Sequence, residues 1–139
     1  MQMPEPNQAI ISQRDALAQG LRQIVGKDWV ISDDAQRRPY QCDGITAYMA
    51  MPLLVVLPGC AGEVQAAPRF GNERGAKIVP RGSCTPPSGW ALPPAAGVLL
   101  VTPRLRPVLE VHPPHRFSRV PPGVPSIHIT DASSPLGLR

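Results

Sequence analysis

Met51-Pro-Leu-Leu-Val-Val-Leu-Pro58 is a continuous apolar run closed by proline. A strand with one wet face alternates apolar and polar residues, and this run does not. It predicts a strand buried on both faces, as in a sheet flanked by helices. Downstream, residues 61–75 have the length and composition of a short helix, with Gly75 as its stop. Lys77-Ile-Val-Pro80 then reads as a second short strand. Strand, helix and strand with short joints make a βαβ unit, whose strands should run parallel with a right-handed crossover.

Beyond a Gly-, Ser- and Pro-rich loop over 81–93, three short strands are predicted over 97–101, 107–111 and 116–120. Pro113-Pro114 should turn between the last two. Residues 126–138 predict a final helix, with Pro135 in its interior. Toward the N terminus, Ser12-Gln-Arg-Asp15 has the form of a capping box, with Asp for the usual Glu. Leu17, Leu21, Ile24 and Val25 follow at helical spacing, and Gly26 is placed to end that helix. Residues 28–47 form a polar connector, for which the sequence predicts no shape.

The 139 residues include 19 Pro and 12 Gly, with 42% hydrophobic, 4% aromatic and 17% charged residues. That length suits one domain or part of one. Pro and Gly stay below the low-complexity range, and the glycines lack the three-residue period of collagen. The longest strongly apolar run, over 50–57, falls far short of the roughly 20 residues that a bilayer-crossing helix needs. The first eight residues, Met-Gln-Met-Pro-Glu-Pro-Asn-Gln, lack the basic start and apolar stretch of a signal peptide, so the expected compartment is the cytoplasm. Cys42, Cys60 and Cys84 are an odd number at wide spacing with no C-x-x-C pair, which predicts unpaired thiols and no metal site.

The net charge of +4 is unevenly spread. Residues 1–80 carry 8 Lys/Arg and 8 Asp/Glu, whereas residues 81–139 carry 6 Arg and only Glu110 and Asp131 as acids. Six prolines precede Pro80 and 13 fall from Pro80 onward. A basic half attracts phosphates and other acidic partners. The aromatics are too few to stack bases between those arginines, so nucleic acid is not an expected partner.

Chemistry concentrates in the loop after the second strand, Arg81-Gly-Ser-Cys-Thr-Pro-Pro-Ser-Gly89. Small side chains and free backbone N–H groups at that place let a diphosphate approach closely. Taken alone, such a loop is equally an ordinary surface turn. The order of the pieces adds to it: CDGITAYMAMPLLVVLP over 42–58, EVQAA over 63–67, KIVPRG over 77–82, T..SG.ALP over 85–93, GVLLVTPRL over 97–105 and VLEVHPPHRFSRVPPGV over 108–124. In this order and spacing, residues 12–138 resemble the N-terminal part of the FAD-linked oxidases related to the flavin-carrying chain of glycolate oxidase and to D-lactate dehydrogenase. Their flavin domain is the type shared with vanillyl-alcohol oxidase and p-cresol methylhydroxylase.

The resemblance implies an α+β fold class: the N-terminal lobe of a vanillyl-alcohol-oxidase-type FAD-binding domain, with a βαβ unit plus short additional strands. It implies an N-terminal helical segment over 1–27, a connector over 28–50 and an incomplete FAD-binding domain over 51–139. FAD is the implied cofactor, and the implied reaction is oxidation of a 2-hydroxy acid, glycolate or D-lactate, by hydride transfer to flavin. In the intact family member the electrons often pass to an iron–sulfur partner subunit, and the cytoplasmic enzyme can be peripheral to the inner membrane. Carried over by position, Pro80, Arg81, Gly82, Ser83, Cys84, Thr85, Ser88 and Gly89 cradle the FAD diphosphate. Pro58 matches a proline near the adenine end, and Gly123 a glycine in a further flavin-side turn. No catalytic residue and no metal ligand is implied within this chain. His112, His115 and His128 have no family motif around them and read as solvated side chains.

The chain departs from the family pattern at several places. Cys84, Pro86 and Trp90 stand where the family loop has glycines, and Pro86 and Pro87 have no N–H to offer a diphosphate. Gly62 and Pro68 replace helix-forming residues, and Cys60 stands where the family usually places a Ser or Thr N-cap. Two other readings therefore stay open beside the flavin cradle. One is a non-catalytic remnant or Pro-rich basic interaction module without flavin, presenting Pro113-Pro114 and Pro121-Pro122 as short polyproline II stretches. The other is a phosphate-rich ligand other than FAD on the Arg81 loop.

Overall fold

The structure, a computed structural model, describes residues 6–42, 49–82, 96–105 and 110–138. In chain order the described elements are α1 (Gln8–Ser12), α2 (Arg14–Val25), β1 (Val30–Ile31), α3 (Asp34–Arg37), β2 (Leu54–Val56), α4 (Ala61–Glu73), β3 (Ile78–Arg81), β4 (Val98–Val101), β5 (Glu110–His112), β6 (Phe117–Arg119) and α5 (Ser126–Ser133). The apolar run over 51–58 contains β2, and Leu54, Val55 and Val56 are all fully buried. Alternate residues of the sheet serve two different layers. Leu54, Val56, Val98 and Leu100 pack with Leu17, Leu21 and Ala67 of the helices. Val55, Leu99 and Val101 point the other way and pack with Ile31, Tyr40, Leu57 and Val79. Cover on both faces is why neither β2 nor β4 alternates apolar with polar residues.

The sheet has the order β1-β2-β4-β3, with β2, β4 and β3 parallel and β1 antiparallel to β2. The predicted β2-α4-β3 unit is present with parallel strands. Its two strands are not neighbours, because β4 inserts between them. A separate antiparallel ribbon, β5 with β6, is turned by Pro113–His115 as the proline pair predicts. For the strand expected over 107–111, residues 106–109 lie outside the described residues. Gly26 (φ +92°) and Gly75 (φ +68°) end α2 and follow α4 in backbone conformations that L side chains rarely adopt.

Three local expectations change. The helix start is not a Ser12 capping box. Asn7 caps α1 by accepting from the Ala9 N–H at 3.0 Å, and Ser12, already the last residue of α1, donates its hydroxyl to the Ala9 carbonyl. With the first donors satisfied upstream, α2 begins at Arg14 after Gln13, whose side chain makes no cap bond. The final helix stops at Ser133, and Pro135 lies in the following 3-10 turn, Ser134–Leu136. Proline there avoids both the missing N–H and the ring clash of a helix interior. In α4, by contrast, Pro68 does sit inside the helix.

The connector acquires structure through arginines. Arg37 is 5% exposed, and its guanidinium donates to the carbonyls of Pro52 and Leu53 and to the Asp34 carboxylate. Arg14 donates to the Ser32 carbonyl, and Arg22 reaches the Ser32 hydroxyl at 2.9 Å. A buried guanidinium is tolerated only when hydrogen-bonded in this way. These bonds hold β1 beside β2 and bring Trp29 to its end, where the Leu57 N–H donates to the Trp29 carbonyl at 3.0 Å. Among the described residues, no helix is long and apolar enough to cross a membrane.

Candidate functional site

Because β2, β4 and β3 are parallel, their carboxyl ends open on one edge of the sheet, the place where open α/β sheets receive ligands. Pro58 is buried directly after β2. Pro80 lies in β3, as the predicted strand over 77–80 has it, and Arg81, expected to open the loop, is instead the last residue of β3. β3 is an edge strand, and Pro80 is exposed on it, so its missing N–H need not interrupt the sheet. The Arg81 carbonyl accepts from the Thr102 N–H at 3.1 Å and from the Thr102 hydroxyl at 3.3 Å, while the Arg81 guanidinium reaches the Tyr40 carbonyl at 3.4 Å. The end of β3 is thereby tied both to the turn after β4 and to the connector.

Two predicted glycines make the edge possible. A Cβ on Gly82 would lie 2.9 Å from the Pro122 carbonyl oxygen, and one on Gly123 would overlap the Thr102 carbonyl. The turn closed by Val124 N–H on the Pro121 carbonyl is thus drawn across the strand ends, with backbone against backbone. Pro58, Arg81, Gly82 and Gly123, far apart in sequence, converge on this one edge. Ser83, Cys84, Thr85, Ser88 and Gly89 lie outside the described residues.

Beside this crossing is a cleft of about 480 Å³, walled by residues 59–61, Arg104, Leu105 and Pro121-Pro122. That volume is in the range of small-molecule sites, about 300–1,000 Å³. Its rim is built by Cys60, the N-cap of α4, whose side chain makes no cap bond, and by the Gly59 N–H, which donates to Glu63 Oε2 at 2.7 Å. Among the described wall residues, Arg104 supplies the only charge. Its Nη1 donates to the Leu57 carbonyl at 2.6 Å, and its guanidinium lies 3.5 Å from the centre of the Trp29 ring. An apolar cleft with one cation, at the carboxyl ends of parallel strands, fits a ligand that is part aromatic and part anionic, as FAD is.

Arg104, Gly59 and Trp29 were not among the residues expected from sequence. The available signal was Thr102-Pro-Arg-Leu105, where a charge follows directly on a buried strand. The other ionisable clusters lie elsewhere. Among the described residues Glu110 pairs with His112 at 2.6 Å and with Arg119 at 3.8 Å, and the His112 hydrogen bond holds the Glu110 carboxyl below its usual range. The His112 ring stacks on Phe117 at 4.7 Å and stays partly exposed at the end of β5, beside the Pro113–His115 turn.

Comparison with known proteins agrees with this geometry. Residues 52–139 match the family model described as an FAD binding domain. The glycolate oxidase subunit GlcD of Escherichia coli (strain K12) is 38% identical over 125 residues, which cover 90% of this chain and 25% of that protein. A D-2-hydroxyglutarate dehydrogenase of Xanthomonas citri is 30% identical over 118 residues, covering 85% of this chain and 25% of that protein. The chain therefore spans about a quarter of the length of these curated relatives. Among solved structures, 4-ethylphenol oxidase from Gulosibacter chungangensis superposes with a TM-score of 0.80 at 22% identity, covering 99% of this chain and 27% of that one. p-Cresol methylhydroxylase does so with a TM-score of 0.74 at 19% identity, covering 91% and 25%. The sequence match, the shared fold and the glycine-framed strand edge agree, and the chain belongs to the FAD-binding domain family, whose cofactor is FAD.

Proposed function

We propose that this chain forms the FAD-cradling part of an oxidoreductase that oxidises a 2-hydroxy acid, glycolate or D-lactate. The observation that carries the reading is the 38% identity to the glycolate oxidase chain of Escherichia coli across nine-tenths of this one. The second relative supports the substrate class, because glycolate and D-2-hydroxyglutarate share a hydroxyl on the carbon next to a carboxylate. Bound FAD supplies the hydride acceptor. The chain's own part is to hold it: Gly82 and Gly123 let the 121–124 turn pack onto the strand ends and shape that edge, Pro58 borders the adenine end, and by resemblance Pro80, Arg81, Gly82, Ser83, Cys84, Thr85, Ser88 and Gly89 cradle the diphosphate.

Residues 51–139 are the flavin-binding part in this reading, with 1–27 as a helical segment and 28–50 as a connector. The family match over 52–139 supports that division. An iron–sulfur protein is the proposed electron acceptor, and the cytoplasm, with contact to the inner membrane, the proposed location. None of these 139 residues is assigned to the chemical step, so the isolated chain is expected to bind flavin without turnover. The chain's place in a 2-hydroxy-acid oxidase is tested by replacing the matching quarter of the Escherichia coli protein with this chain and adding 2-hydroxy acids without another acceptor. Bleaching of the flavin by glycolate or D-lactate supports the reading. A chimaera that holds FAD yet stays unbleached by any 2-hydroxy acid overturns it.

A further inference from the structure

Among the described residues, the guanidinium of Arg104 has no carboxylate within ion-pair distance; its partners are a carbonyl and the face of an indole. A half-buried cation in that position keeps its full charge available to an incoming anion. Its place is also fixed from three sides. Trp29 covers one face, the Leu57 carbonyl holds Nη1, and Gly59 leaves room for Nη2, because a Cβ there would lie 2.8 Å from that nitrogen. The remaining cleft walls, Cys60, Ala61, Leu105, Pro121 and Pro122, carry no charge. Positioned donors of this kind recognise phosphate oxygens at little further ordering cost.

We propose that Arg104, propped by Trp29 of the connector, is a phosphate-positioning residue of the cofactor site and contacts the diphosphate part of FAD. This deepens the function proposed above and rests on it. It also gives the connector a part in the cofactor site, since Trp29 precedes β1 and lies outside the family-matched residues 52–139.

The test uses the 139-residue chain and three probes: FAD, ADP and riboflavin, which has no phosphate. ADP is expected to displace FAD from the unaltered chain, and added salt to weaken ADP. Arg104→Gln should weaken FAD and ADP about tenfold, the size of one lost charged hydrogen bond, and leave riboflavin unchanged. Arg104→Lys should recover part of the loss. Gly59→Ala keeps the charge but displaces it, and should weaken ADP while the circular-dichroism melt stays cooperative. If Arg104 is only a structural clamp, Arg104→Gln lowers the melting temperature and weakens all three probes alike, or spares ADP. Either result overturns the inference and leaves FAD binding standing. Should Arg104→Gln not fold, ADP binding that is indifferent to both salt and Gly59→Ala has the same force. An unaltered, folded chain that binds neither FAD nor ADP overturns the proposed function, and this inference with it.

Discussion

The parallel sheet and the C-terminal hairpin with its helix draw on similar apolar residues and place them in opposite environments. Leu54, Val55, Val56, Val98 and Leu99 are at most 1% exposed, whereas Phe117, Ile127 and Leu136 are 46–60% exposed. The difference lies in what each segment can cover. β2 and β4 sit between helices and connector, so both faces of each strand find partners. The β5–β6 ribbon has only two strands and pairs with no other described strand. Ribbons of that size are marginal in water. The close meetings of Gly123 with Thr102 and of Gly82 with Pro122 tie the C-terminal segment to the sheet. Stability therefore belongs to the sheet, and the edge proposed for the cofactor lies where the stable part meets the weakly covered one.

That contrast is open to measurement. Leu54→Ala or Leu99→Ala should lower the unfolding free energy by about 2–5 kcal/mol in a urea titration, as cavities in a closed core do. The same truncation at Ile127 should stay within about 0.5 kcal/mol. An equal loss at the two places would break the comparison. Pro68→Ala tests the sheet's helical cover with the opposite sign. Removing a proline from the interior of α4 should stabilise by up to about 3 kcal/mol, read as a higher urea midpoint. No gain would mean that α4 has relaxed around the hydrogen bond that Pro68 cannot donate to Val64.

Gly123→Ala probes the join itself. Its Cβ meets backbone, which cannot swing aside as a side chain tip can, so a loss of about 1–3 kcal/mol is expected together with weakened FAD binding. Loss of FAD binding without loss of stability would instead place Gly123 against the cofactor alone.

The smallest effect is in acid. The Arg37 hydrogen bond and charge hold the exposed Asp34 carboxyl below its ordinary value, with Arg14 and Arg38 adding to it. A carboxyl lowered on folding contributes stability that is present above its unfolded value, about 3.9, and is lost as the pH falls through the lower folded value. Thermal melts from about pH 5 down to about pH 2 should show this loss, and Asp34→Asn should flatten it. Unchanged pH dependence in Asp34→Asn would remove Asp34 from the account.

The parts legible in the sequence were those governed by burial. Residues 51–58 and 97–101 have no polar member in their strands, which only two-sided cover allows, and β2 and β4 followed. Gly75 marked the end of α4, and Pro113-Pro114 the turn of the ribbon. The connector was unreadable because its elements are two to four residues long and are fixed by Arg37, Arg14 and Arg22 reaching oxygens elsewhere in the chain. No periodicity records such bonds. β4 between β2 and β3 was hidden for a similar reason, since local pattern gives strands but not their order. At the candidate site the resemblance singled out Gly82 and Gly123 as flavin-side residues, whereas what the structure sets against each, the carbonyls of Pro122 and Thr102, is tertiary and has no trace in the local sequence. Arg104 was missed because its role depends on Trp29, which precedes it by 75 positions.

The claim at the centre is that the carboxyl ends of β2, β3 and β4, with the turn at Gly123, hold FAD. It is tested most directly by titrating FAD into the purified chain and following flavin fluorescence, with circular dichroism to report folding. Saturable quenching at micromolar protein, reversed by ADP, is expected. A folded chain that leaves the fluorescence unchanged at that concentration would contradict it.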